Sequence, residues 1–139
     1  MLSPDYIVGF VDGEGCFSVS ISRKRFRVPE VRLIFEIELR EDDEPVLREI
    51  QKVLDCGNIY RLDYSRYDKW RPHVKLKVSS FKDIRGKVIP FFRKYPLQAK
   101  KKKQFELFCK VAEMIEEDEH KVPEGIERIR NLRLAFKEA

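Results

Sequence analysis

The sequence predicts one α+β domain spanning residues 1–139: an antiparallel sheet made of two hairpins, with helices on one face. Three observations predict it. Three short stretches alternate apolar and polar residues with a period of two, and a fourth forms a hairpin with the last of them. Stretches with helical periodicity precede, separate and follow them. No internal repeat or low-complexity linker divides the chain, and 42% hydrophobic residues supply a core.

The elements follow in order. Ser3-Pro4-Asp5 reads as a helix start: Ser3 can cap, Pro4 suits the first helical position, and Asp5 meets the positive end of the dipole. That helix runs through Asp12 and should stop near Gly13-Glu14-Gly15, where glycines permit a turn. Cys16 to Ser22 alternates, with Phe17, Val19 and Ile21 on one side and serines on the other. After a basic turn at 23–27, Val31 to Leu39 alternates again. Glu44 to Leu54 has helical periodicity and ends at Cys56-Gly57-Asn58. Ile59 to Tyr64 and Pro72 to Val78 form the second hairpin. Helices are expected over Phe81 to Phe92, Lys103 to Glu117 and Pro123 to Lys137. The resulting order is αββαββα plus C-terminal helices. One sheet face is left polar, basic and uncovered, as an antiparallel sheet tolerates.

The formal net charge is +5, but its distribution says more. Residues 57–103 hold 15 Lys/Arg against 3 Asp/Glu, a local +12, and both flanks are mildly acidic. Such a block either faces a polyanion, above all nucleic acid, or is a solvated lysine-rich surface. The three cysteines, Cys16, Cys56 and Cys109, are widely spaced and sit among apolar neighbours. They are expected to be buried, reduced thiols, which points to an intracellular protein. Neither His73 nor His120 lies near a cysteine, so no zinc pattern is present. No stretch is apolar enough to span a membrane, and the N-terminus lacks the form of a signal peptide.

The sharpest anomaly is Gly9-Phe10-Val11-Asp12-Gly13-Glu14-Gly15. A helix C-terminus carries partial negative charge, so two acids there are disfavoured. Either they belong to a plain turn, since Asp-Gly and Glu-Gly form turns readily, or a divalent cation offsets them. Gly9 and Gly13 share a helix face and would let a second helix approach closely. Two such helices about a two-fold axis would pair two copies of Glu14, and paired carboxylates with metal ions suit phosphodiester cleavage.

Ile7 to Gly15 resembles the LAGLIDADG motif of homing endonucleases in its GFVDGEG form. The resemblance extends through Ile50 to Ile59 and through Pro90 to Leu97 followed by Lys100 to Lys103 and Phe105. It implies a site-specific, intron-encoded endonuclease that cleaves a long double-stranded DNA site with Mg2+, with Ca2+ or Mn2+ able to replace it for binding. No small-molecule cofactor is implied. A single motif copy implies a homodimer with a near-palindromic target. The motif helix would form the interface through Ile7, Gly9, Phe10 and Gly13. Glu14 matches the family's metal-binding acid, the Gly13 carbonyl a backbone ligand, and Asp12 the first acid, which shapes the helix end. Lys101 matches a basic residue near the scissile phosphate, and Lys100 or Lys103 could take that place.

Outward hairpin residues would contact DNA: Ser18, Ser20, Ser22, Lys24, Arg32, Glu36, Glu38, Asn58, Tyr60, Arg71, His73, Lys75 and Lys77. Glu36 and Glu38 either exclude wrong bases or pair with cationic neighbours across the sheet. Arg61, Lys100 and Lys103 would meet phosphates, together with Arg66 and Lys69. One position departs from the family. Where a glutamine often ends the second strand, this sequence has Leu39, leaving Glu38, Arg40 or ordered solvent to position water. Because some members of the family lost cleavage, a splicing cofactor or a non-cleaving DNA-binding protein on the same scaffold is the alternative. Location in a bacterial or archaeal cytoplasm or in an organelle fits either.

Overall fold

A computed structural model describes residues 1–22, 29–63 and 71–138. The basic turn at 23–27, Lys24 within it, and Tyr64, Arg66, Lys69 and Trp70 lie outside the described residues.

The first helix, α1 (Pro4–Glu14), begins as the sequence predicts: the Ser3 hydroxyl accepts the Tyr6 N–H at 3.2 Å and Pro4 occupies the first turn. Its end differs from expectation. Gly15 is extended, with φ −79°, so no left-handed turn closes the helix. Glycine is needed there for space: a Cβ would stand 2.7 Å from Val11 Cγ1. The chain therefore passes directly from α1 into the strand, and Glu14 is the last helical residue.

Strands β1 (Gly15–Ser22) and β2 (Glu30–Arg40) pair antiparallel, Cys16 opposite Glu36 and Ser18 opposite Ile34. After a short 3-10 turn, α2 (Glu44–Leu54) occupies the span that the periodicity predicts. It stops at Asp55, which is left-handed at φ 56°. Gly57 follows with φ +94°, and a Cβ on it would stand 2.9 Å from Leu76 and Val78 side chains. That position requires glycine on both counts. Strands β3 (Asn58–Leu62) and β4 (His73–Val78) pair with each other, and β4 joins β2. The sheet order is β1-β2-β4-β3, one continuous antiparallel sheet.

The expected helix over Phe81 to Phe92 is broken into α3 (Phe81–Asp83), a π-helical turn (Ile84–Val88) and α4 (Ile89–Lys94). Pro90 explains the break, because it has no N–H and its ring would collide with the Gly86 carbonyl in a regular helix. The helix α5 (Lys101–Glu116) starts two residues before the predicted Lys103, and α6 (Pro123–Glu138) closes the described chain.

The alternation in the strands divides the sheet. Phe17, Val19, Leu33, Phe35, Ile37, Leu39, Val74, Leu76 and Val78 are buried under the helices. Phe17 is the hub, with its ring centroid 5.0 Å from Phe35, 5.2 Å from Phe108, 5.3 Å from Phe105 and 5.6 Å from Phe92. These contacts lock α4 and α5 onto β1 and β2, and so fix where the start of α5 stands. No described helix is long and apolar enough to cross a membrane.

Candidate active site and nucleic-acid face

Glu14 is exposed at the C-terminal end of α1, and among the described residues no hydrogen bond or ion pair engages it. The Val11 carbonyl accepts the Gly15 N–H, but the helix stops at Glu14, so the Asp12 and Gly13 carbonyls lack intrahelical donors. Carboxylate and carbonyl oxygens are hard ligands, which fit a divalent cation such as Mg2+. Among the described residues no three His, Cys, Asp or Glu side chains gather as a metal-holding group. Any cation held here would need ligands beyond Glu14 and the Gly13 carbonyl.

Asp12 does something else. Its Oδ2 accepts the Gln98 N–H at 2.8 Å and its Oδ1 accepts the Ala99 N–H at 3.1 Å. Both carboxylate oxygens are engaged by backbone that immediately precedes the lysine run. The sequence expectation that Asp12 shapes its own helix end is corrected: it anchors the approach to a different helix.

The lysine run opens α5. Lys100 holds the N-cap position with helical φ and ψ and gives no side-chain cap. Lys101 is half-buried, and Lys100, Lys102 and Lys103 are exposed. Lys101 lies close enough to Cys16, two residues beyond Glu14, to act on its thiol. Partial desolvation pushes the Cys16 pKa up and Glu36 adds to this, while Lys101 and Lys75 pull it down. Cys16 itself is an exposed residue on the sheet's outer face, which corrects its expected burial. It falls in phase with the serines of β1, a pattern visible in the sequence. Cys56 is half-buried and Cys109 buried, and burial raises both thiols to about 11.

The register defines the outer face of the sheet. One row runs Cys16–Glu36–Lys77–Asn58 and the next Glu38–Lys75–Tyr60, with Ser18, Ser20 and Ser22 along β1 and Arg32 beside Ser20. Tyr60 is 48% exposed on this mostly polar face, which also carries half-buried Ile34 and Leu62. Lys75 sits between two carboxylates, 3.5 Å from Glu36 and 3.7 Å from Glu38, and His73 Nδ1 lies 3.0 Å from Glu38. The cross-strand pairing weighed for Glu36 and Glu38 is thus present in the free chain. Arg32 pairs with Glu30 at 2.7 Å.

Other predicted contacts are placed differently. Arg61 is opposite Val74, whose side chain is buried, so it lies on the helix side of the edge strand and pairs with Glu41 at 2.8 Å. Arg71 and Arg40 both approach Asp42, at 3.7 and 3.3 Å. Leu39 is buried toward the helices, and neither polar substitute beside it is unengaged: Glu38 meets His73 and Lys75, Arg40 meets Asp42. Sequence reasoning missed the Glu41–Asp42 pair as the collector of these arginines. Three consecutive acids before α2 were its signal.

On α1, Ile7 is fully buried in the chain's own core, so it has no surface to offer a second chain; this corrects its place in the expected interface. Gly9 and Gly13 face open space, with nothing within 4 Å of where a Cβ would stand. Exposed Tyr6 stacks on half-buried Phe10 at 6.1 Å.

A four-stranded antiparallel sheet with one polar, charged face and helices packed on the other defines an α+β scaffold. The sequence model of the LAGLIDADG endonuclease family matches residues 7–112, and the chain belongs to that family. It is 31% identical over 131 residues to a probable intron-encoded endonuclease 2 of Neurospora crassa, covering 92% of this chain and 28% of the relative. It is 34% identical over 104 residues to a probable intron-encoded DNA endonuclease 1 of Mycosarcoma maydis, covering 73% and 34%. The chain thus spans about a third or less of these relatives. Among solved structures it resembles the homing endonuclease I-TnaI with a TM-score of 0.86 and 34% identity, covering 96% of this chain and 87% of that one. It resembles I-LtrWI bound to target DNA with a TM-score of 0.86 and 30% identity, covering 95% and 43%. It also resembles I-SmaMI bound to uncleaved DNA in the presence of calcium ions, with a TM-score of 0.87 and 29% identity, covering 97% and 45%.

Proposed function

We propose that this chain is a site-specific double-stranded DNA endonuclease that hydrolyses phosphodiester bonds with a divalent cation, Mg2+ in the cell. The carrying observation is that an unengaged carboxylate, Glu14, shares its helix end with Asp12, which holds the Gln98 and Ala99 amides just before the lysine start of α5. Membership of the family, and the DNA bound to I-LtrWI and to I-SmaMI, support the same reading.

Glu14 and the Gly13 carbonyl would hold the cation. When bound, it would stabilise charge on the reacting phosphate and make water a better nucleophile. Lys101 would offset negative charge as the bond breaks, and no covalent protein nucleophile is required. Lys100, Lys102 and Lys103 would bind flanking phosphates. The outer face of the sheet would read bases in the major groove through Ser18, Ser20, Ser22, Arg32, Asn58, Tyr60, Lys75 and Lys77. Glu36, Glu38 and His73 would act through the charge network that holds Lys75. Arg61 and Arg71 would steady the hairpin root through Glu41 and Asp42.

Glu14 is part of a site, which a second motif helix would complete. We assign that helix to a second copy of this chain, packed through the open face of Gly9 and Gly13 with Tyr6 and Phe10 at its border. Two-fold symmetry would then make the target near-palindromic.

A binding selection on randomised duplexes supplies the target, and incubation with Mg2+ tests cutting. The wild type should cut its selected site, and Glu14→Gln should bind that site without cutting. A wild type that binds tightly and never cuts would establish the binding-protein alternative instead.

A further inference from the structure

Asp12 and Glu14 stand two residues apart on one helix end, yet they face different work. Glu14 is exposed, while both oxygens of Asp12 accept backbone N–H groups from a segment 86 and 87 residues further along the chain. That segment leads straight into α5, whose first turn contains no acid and whose N-cap residue, Lys100, contributes no side-chain cap. The first turn of α5 is instead all lysine, positive charge at the positive end of the helix dipole. The arrangement is unfavourable locally and needs an anion and hydrogen-bond acceptors. The Lys102 and Lys103 N–H groups of that turn are met by the Ala99 and Lys100 carbonyls at 3.0 and 3.2 Å; Asp12 supplies the anion and, through charge-assisted bonds to the Gln98 and Ala99 amides, holds the segment that carries those carbonyls.

We propose that Asp12 is a positioning residue for the hydrolysis: by gripping the Gln98 and Ala99 amides, it fixes Lys100 and Lys101 relative to Glu14 on the same helix end. The proposal rests on the endonuclease reading above. The proposal gives the tether to Asp12, whose two oxygens each accept a backbone N–H, and the cation to the unengaged Glu14. The coupling is short and rigid, since Asp12 and Glu14 belong to one helical turn, and it ties the metal-binding carboxylate and the phosphate-facing lysines to one frame.

Amide hydrogen exchange and single-turnover cleavage on the full chain test it with Asp12→Ala and Asp12→Asn. In Asp12→Ala the Gln98 and Ala99 amides should exchange at least about tenfold faster, as loss of charge-assisted bonds implies. Its cleavage rate at saturating Mg2+ should fall roughly 10- to 100-fold, the scale of an ångström-level misplacement. The Mg2+ concentration for half-maximal rate should stay the same, because Glu14 is untouched. Asp12→Asn keeps one acceptor oxygen and should fall between wild type and Asp12→Ala in both readouts.

Three results would overturn the proposal. One is unchanged exchange at Gln98 and Ala99. Another is a raised Mg2+ requirement in both variants, which would make Asp12 a ligand. The third is a lowered Tm with an unchanged rate per folded molecule, which would make its role merely structural. A wild type that binds and never cuts defeats the endonuclease reading and the catalytic half of this proposal together, while the exchange data still decide whether the tether exists.

Discussion

The C-terminal end of α1 and the start of α5 lie against each other, and each carries charge of the sign its own helix disfavours. At the end of α1, Asp12 and Glu14 face the negative pole of the dipole. At the start of α5, Lys101, Lys102 and Lys103 face the positive pole. The two ends differ in how they are relieved. Asp12 is satisfied within the chain by the Gln98 and Ala99 amides. Among the described residues Glu14 has no such partner, and the exposed lysines project from the turn. In the proposed function this unrelieved charge serves a ligand at each end, a cation at Glu14 and a phosphate at the lysines.

The most severe break of this pairing is Glu14→Gln. It removes the anionic ligand while keeping size and exposure. Loss of metal-based stabilisation worth several kcal/mol should slow cleavage by more than about 100-fold. Affinity for the selected DNA, measured by anisotropy without Mg2+, should be equal to or above that of the wild type, because a negative charge near phosphate is gone. A variant that still cuts at the wild-type rate places the metal elsewhere.

Breaking the other end is next in size. Lys101→Ala should reduce the single-turnover rate about 10- to 100-fold, between one and two tenfold steps of 1.36 kcal/mol in barrier. The loss should exceed that of Lys100→Ala, since Lys101 is half-buried toward Cys16 and Lys100 is exposed. The reverse ranking would move the catalytic lysine one residue back along the run.

Much of the scaffold behind this comparison was legible in the sequence, for a physical reason. Alternation in β1, β2 and β4 is clean because one face is buried under phenylalanines and the other is wet. Helix α2 coincides with its predicted span because every third or fourth residue is apolar and Gly57 must follow. What could not be read were facts carried by distant partners. Asp12 looks the same in sequence whether it caps its own helix or grips amides 86 residues away. The π-helical turn arises from Pro90 acting on a carbonyl four residues earlier, within a stretch whose apolar pattern is helical throughout. The start of α5 was hidden because lysines carry no apolar signal. The sequence pattern does not tell which side Ile7 serves, because α1 is apolar on more than one face, and burial in the core decides which of its residues remain exposed.

The sheet offers a milder test, away from both helix ends. Lys75 is held by Glu36 and Glu38 at the centre of the outer face. If it reads a base, Lys75→Ala should relax the preference at one position of each half-site by about 1–3 kcal/mol in relative affinity. Cutting of well-bound sites should continue. Equal loss of affinity across all sequences would make Lys75 a phosphate contact.

The smallest effect sharpens the comparison most, because it has opposite signs in two measurements. Lys102 and Lys103 are exposed and sit at the wrong pole of α5. Replacing both by Gln removes repulsion from the dipole and from neighbouring lysines. Stability at low salt should rise by about 0.3–1 kcal/mol per lysine. The gain should shrink as salt screens the charges, which thermal unfolding at low and high ionic strength would show. DNA binding should move the other way. Each phosphate that is no longer neutralised flattens the slope of log affinity against log salt by about 0.9. A variant that is stabler and binds DNA less well would show that the lysines are kept for phosphate at a cost to the fold. A variant that is less stable would mean that these side chains hold the start of α5 in place, and the contrast between the two helix ends would then lie in packing and not in charge.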